Sequence, residues 1–367
     1  MTHDMMTKRP YRMADLEVRK GRSGYTLAGS FSGCGGSSLG YGLAGIDVVA
    51  ACEFDRHAAE CYASAFPETH LFTESVADLT GAQIVDAAGR IDIWEGSPPC
   101  SKFSSSGKRD AGWGKVSKSD QSEQLVANVE DLFFEWTRLL GELKPRVAVA
   151  ENVTGMLTGK AKGYAHQVMT QIRAHGYRVK VWKLNAVGYG VPQARRRIFF
   201  ICWDPERACE PTMPETVLTE PVTAAEAIED IKGKARILTT HSGSQAVDIH
   251  QTIDLVDRKR RLVMKLRPGQ KLFKEFSMAK QSPDLAFRTV ESTSIFNPSL
   301  GGMCHWDNRL FTPAEIMRAS SFPDDYPWPE GTTISQYGLR LGNIVPPFLA
   351  QAVGLRLVDA LERFDNG

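Results

Sequence analysis

Six short apolar runs alternate with helix-patterned stretches through the first half of the chain, and this alternation restricts the architecture more than any other feature. The runs cover residues 25–28, 47–52, 91–94, 147–150, 178–184 and 197–202, with helical periodicity near 37–44, 56–65, 123–140 and 164–175. Parallel strands need helix-length crossovers, so the expectation is an α/β, doubly wound, mostly parallel sheet with helices on both faces. Ligands of such sheets bind beyond the carboxyl ends of the strands, which is where chemistry is to be sought.

After Cys202 the alternation stops. WDPERACEPTMPETVLTEP is rich in proline and acid, the following hundred or so residues are poorly periodic, and patterning resumes near Asp307, with a closing helix over 347–361. The expected division is an arm over 1–24, a main domain over 25–205 and 309–367, and a second, smaller domain over 206–308. The chain's 367 residues, 42% hydrophobic and 24% charged, exclude the disordered class. No run approaches the roughly 20 apolar residues of a membrane helix, and residues 1–24 lack the apolar centre of a signal peptide, so the expected location is the cytoplasm. Seven cysteines without a C-x-x-C pair and eight scattered histidines point to reduced thiols and no metal site.

Net charge is +1, yet residues 231–288 hold 13 Lys and Arg against 5 Asp and Glu, and the remainder 31 against 38. Within that segment Arg258, Lys259, Arg260, Arg261, Lys265 and Arg267 are interleaved with Leu262, Val263, Met264 and Leu266, the pattern of a partly buried helix with a basic face. A solvated charge run has the same composition. Its place between two chemistry-bearing segments favours phosphate binding.

The motifs fall at strand ends. FSGCGGSSLG (31–40) follows the first run and opens a helix; Gly33, Gly35 and Gly36 permit a tight turn and close approach by a cofactor, as in nicotinamide, flavin and S-adenosylmethionine sites alike. Glu53 ends the second run, where a ribose hydroxyl pair lies in a doubly wound nucleotide site, and Asp78 with Leu79 offers an acceptor and an apolar wall for an adenine. Acids at strand ends also serve as helix caps. GSPPCSKFSSSGKR (96–109) places Cys100 after two stiffening prolines and before a basic Ser/Gly-rich loop, a setting that favours the nucleophilic thiolate over a buried, inert thiol. Glu151 in ENV is a candidate general acid if its surroundings are dry. Arg195 and Arg197 share one face of a strand and Arg196 the other.

In this order, FSGCGGSSLG, PPCSKFS, ENV and QARRR, followed by RLFTPAEIMRASSFPDDY (309–326) and GNIVPP (342–347), resemble the motifs of the cytosine-5 DNA methyltransferases. The resemblance implies a Rossmann-like methyltransferase fold and transfer of a methyl group from S-adenosylmethionine to a cytosine in double-stranded DNA. Cys100 would attack carbon 6 while Glu151 protonates or hydrogen-bonds nitrogen 3. Arg197 would hold the base carbonyl, and Arg195 the base, phosphate or closed loop. Phe31, Ser32, Gly33, Gly35, Gly36, Leu39, Glu53, Phe54, Asp78, Leu79, Pro99, Asn343 and Val345 would surround the cofactor. Because a stacked base hides carbons 5 and 6, the cytosine must be flipped out, and the loop 101–120 would close over it. Ser101, Lys102, Ser104, Lys108 and Arg109 in that loop, with Gln193, Arg258, Arg260 and Thr289, would contact DNA, residues 206–308 standing in the place of the target-recognition domain. Ser101 and Ser320 replace glutamines common in the family, and Ile344 interrupts its Asn-Ser-Val. A monomer is expected, with a cognate restriction endonuclease or defence system as partner.

An RNA cytosine methyltransferase would have to read single-stranded loops, and the basic insert favours DNA. A non-catalytic nucleic-acid-binding protein would lack the nucleophile or acid, whereas Cys100, Glu151, Arg195 and Arg197 are all present. A nicotinamide oxidoreductase fits the glycine-rich turn but leaves PPC, ENV and the paired arginines unexplained.

Overall fold

A computed structural model describes residues 10–99, 131–159, 161–238, 244–253, 261, 263–271, 278–292 and 302–367. Its strands are β1 (Thr26–Ser30), β2 (Asp47–Cys52), β3 (His70–Phe72), β4 (Ile93–Gly96), β5 (Val147–Val153), β6 (Arg178–Asn185), β7 (Gln193–Ala194) and β8 (Arg196–Trp203). A seven-stranded sheet forms in the order β3-β2-β1-β4-β5-β8-β6. The pairs from β3 through β5 are parallel, and β8 runs antiparallel between β5 and β6.

Burial along each strand follows its place in the sheet. Central β4 is buried throughout, whereas edge strand β6 alternates between exposed and covered residues. The two faces carry separate cores. Leu27, Ile93, Val147, Val149, Phe199 and Ile201 face the helices Gly36–Leu43 and Pro347–Asp365. Ala28, Trp94, Ala148, Ala150, Phe200 and Cys202 face the helices Gly81–Ala88, Asp131–Leu143 and Ala161–Ala174. Alternate residues of each strand thus enter opposite cores, as the two-residue side-chain period requires.

The doubly wound, mostly parallel fold agrees with expectation, and two elements add to it. Strand β3, only three residues long, and the helix Gly81–Ala88, with its Thr80 and Gln83 capping box, had no strong pattern in the sequence. The described parts of 206–308 form the helix Ala224–Ile228 and small two-stranded ladders, one of which pairs Phe287–Arg288 with β7. Ala224, Ile228, Val263 and Phe287 belong to the same core as Leu357. The stretch Ile334–Asp365 has a mean hydropathy of 1.4 in its most apolar window, but 78% of that window is buried against the protein itself. The six described cysteines are free, and all but Cys209 are buried.

Candidate active site

Strands β1, β4 and β5 end side by side, with Gly96 opposite both Ser30 and Ala150, so their outgoing loops meet at one edge. Strand β5 runs three residues further than β4, paired only with β8. That overshoot carries Glu151 and sets Phe199 opposite it, with Arg197 opposite Val153. Glu151 and Arg197 are therefore diagonal neighbours on one face, and Arg197 Nε lies 2.8 Å from Glu151 Oε1. Burial raises the Glu151 pKa, and the Arg197 and Arg195 guanidiniums pull against it. Asn152 donates through Nδ2 to the Pro98 carbonyl at 3.2 Å, fixing the backbone that leads to Pro99.

The turn after β1 holds three residues in the left-handed region, Phe31 (φ 55°), Gly33 (φ 55°) and Gly35 (φ 77°). Gly33 and Gly35 are suited to it. A Cβ on Gly36 would stand 2.7 Å from the Val345 carbonyl oxygen, so this glycine lets the helix start approach the 344–345 backbone. A narrow cleft opens between them, lined by Phe31, Ser32, Gly33, Ser37, Ser97, Arg340, Asn343, Ile344 and Val345 among others. Glu53 stands beside the cleft-lining Gly33, accepting from Gly33 N and Asp55 N, each at 2.8 Å. Burial raises the Glu53 pKa against these two hydrogen bonds. Beside it Phe54 is 64% exposed, an aromatic face with nothing stacked on it among the described residues.

S-adenosylmethionine suits this donor set. Ser32 Oγ is buried without a partner, Gly33 faces open space, and Glu53 retains lone pairs for a ribose diol. A larger depression lined by Lys20, Glu68 and His70 lies by β2 and β3, and none of the expected site residues lines it.

Several expected residues are placed differently. Leu39 and Leu79 are buried in the two cores, so their side chains support the cleft from behind. Gly35 packs against Phe66, and Asp78 is exposed. Gln193, expected at DNA, is 1% exposed; its amide donates to the Ala319 carbonyl and Ser320 Oγ and accepts from Val290 N. It is an internal tie, with no atom free for a base in this conformation. Arg195 is equally internal, donating to the carbonyls of Val290 (3.1 Å) and Gly342 (2.9 Å). Thr289 is exposed, although its hydroxyl donates to the Ala194 carbonyl. Cys100, Ser101, Lys102, Ser104, Lys108, Arg109, Arg258 and Arg260 lie outside the described residues.

Sequence reasoning missed Ser37, Glu95, Ser97 and Arg340. Arg340 lines the cleft and pairs with Asp55 at 2.7 Å, while Glu95 is a lone acid inside an apolar strand, a signal the sequence did contain.

A doubly wound sheet with a glycine-lined cleft and a largely buried acid at its carboxyl edge is the arrangement in which such sheets bind nucleotide cofactors. The family model described as C-5 cytosine-specific DNA methylase matches residues 26–359; the chain belongs to that family and is a DNA cytosine-5 methyltransferase. It is 30% identical to the type II methyltransferase M.DdeI of Desulfomicrobium norvegicum, over 89% of this chain and 87% of that one. It is 28% identical to the type II methyltransferase M1.HphI of Haemophilus parahaemolyticus, over 88% and 84%. Among solved structures, a putative DNA modification methyltransferase encoded within an E. coli prophage superposes with a TM-score of 0.71 at 22% identity, over 92% of this chain and 99% of that one.

Proposed function

We propose that the chain methylates carbon 5 of a flipped-out cytosine within a short specific sequence of double-stranded DNA, through a covalent bond to Cys100. The observation that carries this reading is the largely buried Glu151–Arg197 pair at the end of β5, beside the strand that leads into Pro99. The Cys100 thiolate adds to carbon 6, and Glu151 gives or shares a proton at nitrogen 3, so electron density accumulates at carbon 5. Arg197 fixes the Glu151 carboxyl and presents its remaining N–H groups to the base carbonyl. S-adenosylmethionine, when bound, supplies the methyl group. Loss of the carbon-5 proton to a base then expels the thiolate, restoring Cys100 and leaving 5-methylcytosine.

Glu53 holds the ribose, Phe54 covers the adenine, and Asn343 with Val345 closes the cleft from the far side. The basic residues of 206–308 bind phosphates, and the loop 101–120 closes over the base. The relatives' type II character supports a restriction-modification setting, with a monomeric enzyme and a cognate endonuclease as partner. Bisulfite sequencing of unmethylated genomic DNA after incubation with the protein and S-adenosylmethionine tests the reading. Protected cytosines in one short motif are expected, and Cys100→Ser should abolish protection while DNA binding persists. Normal turnover by that variant would overturn the nucleophile assignment.

A further inference from the structure

Glu95 has no task in the chemistry above, yet it lies at the centre of the site. It sits on β4 between Gly29 of β1 and Val149 of β5 and is 2% exposed. Gly29 makes room for it, since a Cβ there would stand 3.0 Å from Glu95 Oε2 and 3.3 Å from Ser32 Oγ. The Glu95 carboxyl is hydrogen-bonded to the side chains of Ser37 and Ser97, and all three serines line the cofactor cleft. The titratable groups coupled to it among the described residues are Glu151 on β5, Tyr41 on the helix Gly36–Leu43 and Tyr62 on Arg56–Ala65, none of them a cation. Burial, with Glu151 adding to it and the serine hydroxyls opposing, pushes its pKa up to about 8. A buried acid one layer behind a cleft, without a cation to neutralise it, responds to whatever charge enters that cleft.

We propose that Glu95 is a proton-linked sensor of cofactor charge, neutral in the free enzyme, ionised when the sulfonium-bearing cofactor is bound and neutral again with its demethylated product. The inference rests on the S-adenosylmethionine reading above. Methyl transfer turns a sulfonium into an uncharged thioether, so substrate and product cofactor differ by one positive charge. At an effective dielectric of 20, any unit cation within roughly 6 Å of a carboxylate favours its ionised form by about a hundredfold or more. Binding S-adenosylmethionine therefore sends a proton from Glu95 to solvent, and methyl transfer draws one back. The ionised carboxylate favours the charged cofactor and its loss favours release of the product. Glu95 acts here as a positioning residue through charge, forming no bond to the reacting carbon.

Calorimetric titration at pH 7 in two buffers of different ionisation enthalpy counts the protons. Wild-type protein should release close to one more proton with S-adenosylmethionine than with S-adenosylhomocysteine, and Glu95→Gln should remove that difference. Between pH 7 and 9 the preference for the sulfonium form should rise about tenfold in wild type, because a site with a free pKa near 8 gains its carboxylate over that range. In Glu95→Gln that rise should be lost, leaving only the contribution of the cofactors' own amino groups, which the variant retains and against which the wild type is compared. Infrared difference spectra of the wild-type protein give a second readout, independent of the variant's folding: a protonated-carboxyl band should vanish with S-adenosylmethionine and persist with S-adenosylhomocysteine. Equal proton release with both cofactors, an unaltered difference in Glu95→Gln, or an unchanged carboxyl band overturns the inference. Failure of either cofactor to bind overturns the cofactor reading instead.

Discussion

Both oxygens of Glu53 already accept a backbone N–H, from Gly33 and from Asp55. The carboxyl therefore shapes the glycine turn before any ligand arrives, and each oxygen keeps a spare lone pair. Glu53→Ala removes an acceptor from two part-buried amides as well as from the proposed ribose contact. We expect the S-adenosylmethionine dissociation constant to rise about ten- to a hundredfold with DNA affinity little changed, measured by calorimetry and fluorescence anisotropy. Equal loss of both would count against the ribose role. Glu95 makes a stability prediction of its own. Below the ordinary glutamate range it is neutral in folded and unfolded chains alike; from there up to about pH 8 only the unfolded chain gives up the proton, so its contribution to stability falls with rising pH. Glu95→Gln should therefore melt higher than wild type near pH 9, by an amount on the order of a few kcal/mol, and show a flatter alkaline profile. A variant less stable than wild type at pH 9 would contradict this.

At the scale of elements, the helix Gly36–Leu43 is clamped between the sheet and the helix Pro347–Asp365. Gly40 permits that contact, because a Cβ there would collide with the Pro347 carbonyl oxygen and the Ala350 side chain. Gly40→Ala should cost about 1–3 kcal/mol in denaturant unfolding. Gly36→Ala meets the Val345 carbonyl at the cleft itself and should weaken cofactor binding beyond its effect on stability, which calorimetry on folded protein will separate. The strands and most helices were legible because their patterns are long: β2 and the helix Arg56–Ala65 fall within the residues expected. Strand β3 was not, since three residues cannot display an alternation, and it forms only because β2 offers it a parallel edge.

Across the whole molecule, arginines tie distant segments together. Arg195 and Gln193 join the start of β8 to Val290, Gly342 and Ala319; Arg318 bridges Asp230 and Asp324; and Arg146 pairs with Asp365. Gln193, expected at DNA, and Arg195, expected to hold the base, the phosphate or the closed loop, thus hold the protein to itself. The excess of positive charge lies in 231–288, the segment proposed to contact DNA. Reversing Arg258 and Arg260 to glutamate should weaken DNA binding and reduce the magnitude of its log–log salt slope by about 2, the value for two lost phosphate contacts. An unchanged slope would make that run a solvated face.

The sequence by itself determined the doubly wound sheet, the order of the motifs and the family, because side-chain periodicity and local turn chemistry are written in consecutive residues. It also singled out Glu53, Glu151 and Arg197 as candidates, the first two from their positions at strand ends and the third from the QARRR resemblance. Only the tertiary structure decided that Gln193 and Arg195 point inward, that Leu39 and Leu79 belong to the cores, and that Glu95 lies behind the cofactor cleft. Those assignments depend on which strands become neighbours: Glu95 is a site residue because β4 pairs with the Gly29 gap in β1 and lies one strand from Glu151. Strand order brings together residues more than 50 positions apart, and no local pattern encodes the burial and charge they then share.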